Sequence, residues 1–241
     1  MTHPLVRISE ELSADVGDMS FLEPVERVYN PLVYAKQLHD AYLETFGTDH
    51  PREVLLVGMN PGPWGMGQTG VPFGDVDFVG DWMGLQAEVA KPDNEHPKRE
   101  VEGLACERNE VSGSRLWGWA RERYGDAEHF FERYFVHNYC PLLFLEDSGR
   151  NRTPNKLKAD ERRELFPHCD RSLRAIIEYL EPEYVVGVGA FATRRVKAAL
   201  KPLDDKPVIG RILHPSPASP QANKGWAPQA EAQLEEIGID V

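Results

Sequence analysis

Four apolar runs rich in β-branched residues punctuate the chain: Val54 to Val57, Phe135 to Val136 with Leu142 to Leu145, Tyr184 to Val188, and Val208 to Leu213. The segments between them are long enough for helices, and strands at that spacing predict parallel crossover connections. Helical patterns are read over Pro31 to Phe46, stopped by Gly47, then Ser114 to Phe135, Ala159 to Leu180 with a break near Pro167, and Phe191 to Leu200. A last helix is expected from about Pro228 to Gly238. The alternation predicts an α/β fold, a three-layer αβα arrangement around a central, mostly parallel four-stranded sheet. In such sheets ligands bind outside the carboxyl ends of the strands.

Composition narrows the picture. With 241 residues, 41% of them hydrophobic, and five Trp, the chain can bury a sizeable core, and one domain over residues 1–241 is expected. No run approaches the roughly 18 apolar residues of a membrane span. Met1-Thr2-His3-Pro4 lacks a basic region followed by an apolar stretch, so no secretory signal is expected. The expected location is the cytoplasm of a bacterium, or the nucleus in a eukaryote. Cys106, Cys140 and Cys169 form no C-x-x-C pair and are expected to be free, buried thiols rather than a disulfide framework or a metal site.

The net charge of −12 would by itself count against a nucleic-acid partner. Its distribution reverses that reading. Residues 1–147 carry 12 basic against 26 acidic residues, whereas residues 148–225 carry 15 against 9, a polyanion-compatible segment inside an acidic chain.

Directly after the first apolar run comes Gly58-Met59-Asn60-Pro61-Gly62-Pro63-Trp64-Gly65-Met66, continued by Gln68-Thr69-Gly70-Val71-Pro72-Phe73-Gly74. A strand that ends in so many glycines and prolines delivers a stiff, shaped loop, with one amide and one aromatic to offer a flat polar ligand. Asn60 is no general base at neutral pH, but its amide can hold and orient a water; its other reading is plain turn chemistry. Phe73 is a core aromatic or a stacking platform, and the glycines around it favour exposure. His137-Asn138-Tyr139 interrupts the second apolar region, and Asn138 either bonds backbone or reads one edge of a base. His214, between the last strand and Pro215-Ser216-Pro217, is a held imidazole suited to hydrogen-bond donation, or a structural histidine. The polar, aperiodic stretch from Phe73 to Glu110 is expected to be a functional loop or insertion, or else variable surface. No phosphate-binding G-x-x-x-x-G-K-[ST], dinucleotide fingerprint, G-x-S-x-G elbow or H-E-x-x-H occurs, so no cofactor and no metal is expected.

Taken together these motifs resemble the SMUG-type uracil-DNA glycosylases of the uracil-DNA glycosylase superfamily. The first glycine-rich loop looks like one family motif; His214-Pro215-Ser216-Pro217 with Pro220-Gln221-Ala222-Asn223-Lys224-Gly225-Trp226 looks like another. Val111 to Arg115, Val136 to Leu142, Ser148 to Asn151 with Thr153-Pro154, and Val185 to Gly189 are similar as well, so the resemblance spans about residue 25 to residue 227. It implies excision of uracil, and of 5-hydroxymethyluracil, from single- or double-stranded DNA by a monomer without cofactor. It further implies that Asn60 holds the water, His214 bonds the departing base, Asn138 reads the uracil edge and Phe73 stacks on it. Met59, Gly62 and Met66 match wall positions near the base's 5-substituent. Phosphate contacts are expected on Ser148 to Lys158 and Ser216 to Lys224.

The chain departs from the animal pattern at Ala218-Ser219, where Arg-Asn would stand, so no long side chain is available to fill a duplex hole. Two other readings stay open at this level: a glycosylase acting chiefly on deaminated purines such as xanthine, and a non-catalytic module that captures damaged or single-stranded DNA.

Overall fold

The computed structural model describes residues 2–48 and 51–241. Helix α1 (Pro4–Gly17) leads into strand β1 (Arg27–Tyr29), then α2 (Pro31–Tyr34), α3 (Lys36–Phe46), β2 (Val54–Gly58) and the single turn α4 (Met66–Thr69). Next come α5 (Val111–Tyr124), α6 (Ala127–Arg133), β3 (Tyr134–Asn138), β4 (Leu143–Leu145) and α7 (Ala159–Leu180). The chain closes with β5 (Tyr184–Val188), α8 (Ala190–Ala199), β6 (Val208–Ile212) and α9 (Trp226–Glu235).

Strands β3, β2, β5 and β6 form, in that order, a four-stranded parallel sheet. All five residues of β2 are buried, as a central strand covered on both faces requires. From β2 the chain steps outward to β3, then reverses across β2 to reach β5 and β6. Right-handed crossovers therefore put their helices on opposite faces. One layer packs α5 with α6 and α9; the other packs α7 with α1 and α8. This is the three-layer arrangement expected. The reversal opens a crevice outside the carboxyl ends of β2 and its neighbours, where a ligand has room between diverging loops.

The structure corrects several boundaries. The helix expected over Ser114 to Phe135 is two helices: it breaks at Gly125, with φ +81°, and restarts where Asp126 Oδ1 accepts the His129 N–H at 3.0 Å. Tyr134 and Phe135 belong to β3. Leu143–Leu145 leaves the main sheet to pair antiparallel with β1. The Pro31 to Phe46 helix divides at Ala35 and stops at Gly47 as expected. Helix α1 was not anticipated; it buries Leu5, Val6, Leu12 and Val16 and packs on α7.

No break occurs at Pro167. Helix α7 runs through it because Leu165, Cys169, Leu173, Ile176, Ile177 and Leu180 keep one buried stripe in register. The carbonyl that Pro167 leaves without a donor is that of Arg163, at an exposed position.

The segment from Phe73 to Glu110 carries one π-helical turn (Phe78–Trp82) and one 3₁₀ turn (Gly103–Ala105). It is not loose surface. Gln68 of the glycine-rich loop donates to Glu100 O at 2.9 Å and accepts from Glu102 N at 2.8 Å, while Tyr29 Oη accepts the His96 N–H at 2.6 Å. Cys106, Cys140 and Cys169 are free and buried, as expected.

Because Pro167 interrupts the hydrogen bonding of an otherwise regular helix, Pro167→Ala should stabilise the protein by about 1–3 kcal/mol. Urea unfolding reads this directly, and a lower midpoint in the variant would show that the proline is matched to its site.

Candidate active site

The site grows from the pairing of β2 with β3, which sets Gly58 opposite Asn138. The ladder continues past the sheet: Tyr139 N–H donates to Gly58 O at 3.0 Å and Cys140 N–H to Met59 O at 2.9 Å. The start of the glycine-rich loop is thereby tied to the end of β3. A Cβ on Gly58 would stand 2.1 Å from Asn138 Oδ1 and 2.6 Å from the Phe73 ring, so only glycine lets the three meet.

Asn138 is 3% exposed. Its Nδ2 donates to Met66 Sδ at 3.2 Å, and its Oδ1 has no partner among the described residues. A buried acceptor left open is costly unless a ligand satisfies it. Asn60 Nδ2 donates to Leu142 O at 3.2 Å and to Pro61 O at 3.3 Å, which fixes the amide and leaves its oxygen for the pocket.

Phe73 is not the exposed platform expected; it is 9% exposed and lines the pocket wall. Its φ of +55° is unusual for a residue with a side chain. Three features hold it there: Trp117 Nε1–H donates to Phe73 O at 3.0 Å, Asp75 N–H donates to the same oxygen at 2.7 Å, and Gly113 lies so close that a Cβ would stand 2.0 Å from it.

His214 follows β6 and is bracketed. Trp226 Nε1–H donates to Leu213 O at 2.6 Å, and Arg115 Nη1 donates to Pro215 O at 3.0 Å. The ring packs against Gly189, whose φ of +88° brings its backbone close. His214 Nδ1 accepts the Ser216 N–H at 3.0 Å, so in the neutral ring the proton sits on Nε2. Burial pushes the imidazole pKa down to about 4, which keeps the ring neutral at physiological pH. The His214 ring centroid lies 6.0 Å from that of Phe73.

Met59, Asn60, Gly62, Met66, Phe73, Asn138 and His214, the seven residues singled out in the sequence, all line one cavity of about 350 Å³. Of the other polar residues that share that cavity, Ser112, Asn151, Thr153 and Ser216 lie in motifs that carry the family resemblance but were given no place in the pocket, and Glu110 was not singled out. The only signal for Glu110 was its place as a polar residue directly before a helix; it caps α5 by accepting the Ser112 N–H at 3.3 Å. Burial, with a smaller effect from Asp75, raises the Glu110 pKa.

On the two loops expected to meet phosphates Arg150, Lys156 and Lys224 are exposed, whereas Arg152 is paired with Glu146 at 3.0 Å. Among the described residues no group of three or more His, Cys, Asp or Glu could hold a metal ion, and no helix is long and apolar enough to cross a membrane.

Comparison with known proteins agrees with this geometry. The uracil DNA glycosylase superfamily model matches residues 45–236. The chain is 48% identical over 228 residues, 95% of its length, to the single-strand selective monofunctional uracil-DNA glycosylases of Rattus norvegicus and Bos taurus, covering 82% and 84% of those proteins. The crystal structure of Pedobacter heparinus SMUG2 superposes with a TM-score of 0.67 at 17% identity, covering 95% of this chain and 96% of that one, a likeness of fold. The chain belongs to the uracil-DNA glycosylase superfamily, within its single-strand selective monofunctional family of DNA-repair glycosylases.

Proposed function

We propose that this protein hydrolyses the N-glycosidic bond of uracil in DNA, and of 5-hydroxymethyluracil, leaving an abasic site for base excision repair. The observation that carries the reading is one cavity in which a fixed amide, a buried open acceptor and a neutral imidazole surround an aromatic ring.

A base reaches such a cavity only by leaving the stack, which costs a few kcal/mol in a pair and less in a single strand. Stacking on Phe73 offsets part of that, by about 1–3 kcal/mol. Asn138 Oδ1 accepts the uracil N3–H, and Nδ2 donates to the adjacent carbonyl. Cytosine presents the opposite pattern, an acceptor facing Oδ1, and is disfavoured.

As the bond stretches, its electron pair moves to the base, and positive charge develops on the sugar. The His214 Nε2–H donates to the base oxygen where negative charge collects, so it stabilises the transition state more than the substrate. The water held by Asn60 then bonds to the sugar carbon. Asn60 cannot deprotonate it, which suits a dissociative reaction and predicts modest turnover.

The loop at Ala218-Ser219, where Ala218 is exposed and Ser219 half-buried, has no long side chain to occupy a duplex hole. Single-stranded DNA is therefore the better substrate of this reading, with duplex DNA also accepted by a protein acting as a monomer. The site of action is the cytoplasm of a bacterium or the nucleus of a eukaryote.

Asn60→Ala and His214→Ala should each slow single-turnover excision by about 10²- to 10³-fold while retaining DNA binding. Normal cleavage by either variant would overturn its assignment. Asn138→Asp should weaken discrimination between uracil and cytosine by about 10²-fold. A panel of oligonucleotides differing in one base measures this, and unchanged selectivity would make Asn138 a structural residue.

A further inference from the structure

The mechanism leaves Glu110 without a task, although it is the only carboxylate among the described residues lining the cavity. Among the described residues no Lys or Arg lines that cavity either. The residue is held at two points: its carboxylate accepts the Ser112 N–H, and its backbone N–H donates to Asp75 Oδ2 at 2.9 Å. From there it reaches over the loop that carries Asn60. Its Oε2 lies 2.5 Å from where a Cβ on Gly62 would stand, and its Cγ 2.8 Å from where one on Gly65 would. Two glycines, two and five residues beyond Asn60, thus leave open the volume that the glutamate fills.

Capping a helix does not require this placement, since a short Ser, Asp or Asn does it at the surface. A partly desolvated carboxylate with no cation beside it gains most from a positive charge brought close, and its field is strong where water is excluded. The substrate supplies that charge only as it reacts.

We propose that the Glu110 carboxylate faces the deoxyribose and stabilises the positive charge that develops there as the bond to the base breaks; this rests on the glycosylase reading above. The electron pair of the C1′–N1 bond leaves with the base, the water oxygen bonds to C1′, and the water's proton passes to solvent. Glu110 neither gains nor loses a proton in the step. Its neighbours are Asp75 on the inserted segment, Ser112 on α5, and His214 across the cavity, neutral above about pH 4.

The test is single-turnover excision of uracil from a single-stranded oligonucleotide by the wild type, Glu110→Gln and Glu110→Asp. Glutamine keeps the shape and a capping oxygen but not the charge. The Gln variant should excise about 10²-fold more slowly, bind the oligonucleotide at least as tightly and melt as the wild type does. The Asp variant, which keeps the charge, should fall between them. The wild-type rate should decline as acid protonates a carboxyl whose pKa burial has raised, and the Gln variant should lack that decline. A Gln variant at the wild-type rate would overturn the inference. So would a wild-type rate that stays constant down to about pH 4, a result that needs no variant to fold. A wild type that binds uracil DNA without releasing uracil would overturn the glycosylase reading, and the inference with it.

Discussion

The parallel register of β2 against β3 is the constraint on which the site depends. It places Gly58 beside Asn138, and two hydrogen bonds beyond the sheet extend the pairing to Met59. Because β2 is also the strand across which the chain reverses, the loops leaving it and β3 diverge, and the space between them is the cavity. Shifting the register by one residue would turn Asn138 to the other face of the sheet and close the opening over Gly58.

Every other functional group is fastened to that frame by contacts distant in sequence. Trp117 and Gly113 on α5 hold Phe73 in its left-handed conformation. Arg115, between them on the same helix, holds Pro215 and so the position of His214. One helix therefore sets the distance between the stacking ring and the donor. The electrostatics follow from burial: the imidazole is kept neutral with its proton on Nε2, and among the described residues the cavity is lined by a single carboxylate and no Lys or Arg. That environment leaves a neutral substrate little perturbed and responds as charge separates.

Much of this was legible in the sequence. The buried strands read as continuous apolar runs, and the residues at or just past their ends, Asn138, Asn60 and His214, fall where an open α/β sheet binds ligands. What stayed hidden depends on tertiary neighbours. Phe73 sits beside glycines that suggested exposure, yet it is buried because two glycines distant in sequence, Gly58 and Gly113, close on it. Pro167 reads as a helix breaker, but the carbonyl it strands belongs to the exposed Arg163 and the apolar stripe of α7 outweighs it. Glu110 looked like the end of a polar insertion, because nothing local links it to Gly62 or Gly65.

The most direct test of this account is Gly58→Ala, which adds one methyl group where Asn138 Oδ1 and the Phe73 ring converge. Displacing either by about an ångström should lower single-turnover uracil excision by about 10²-fold or more in a protein that still folds cooperatively. A folded Gly58→Ala protein that excises uracil at the wild-type rate would contradict the claim that this register builds the site.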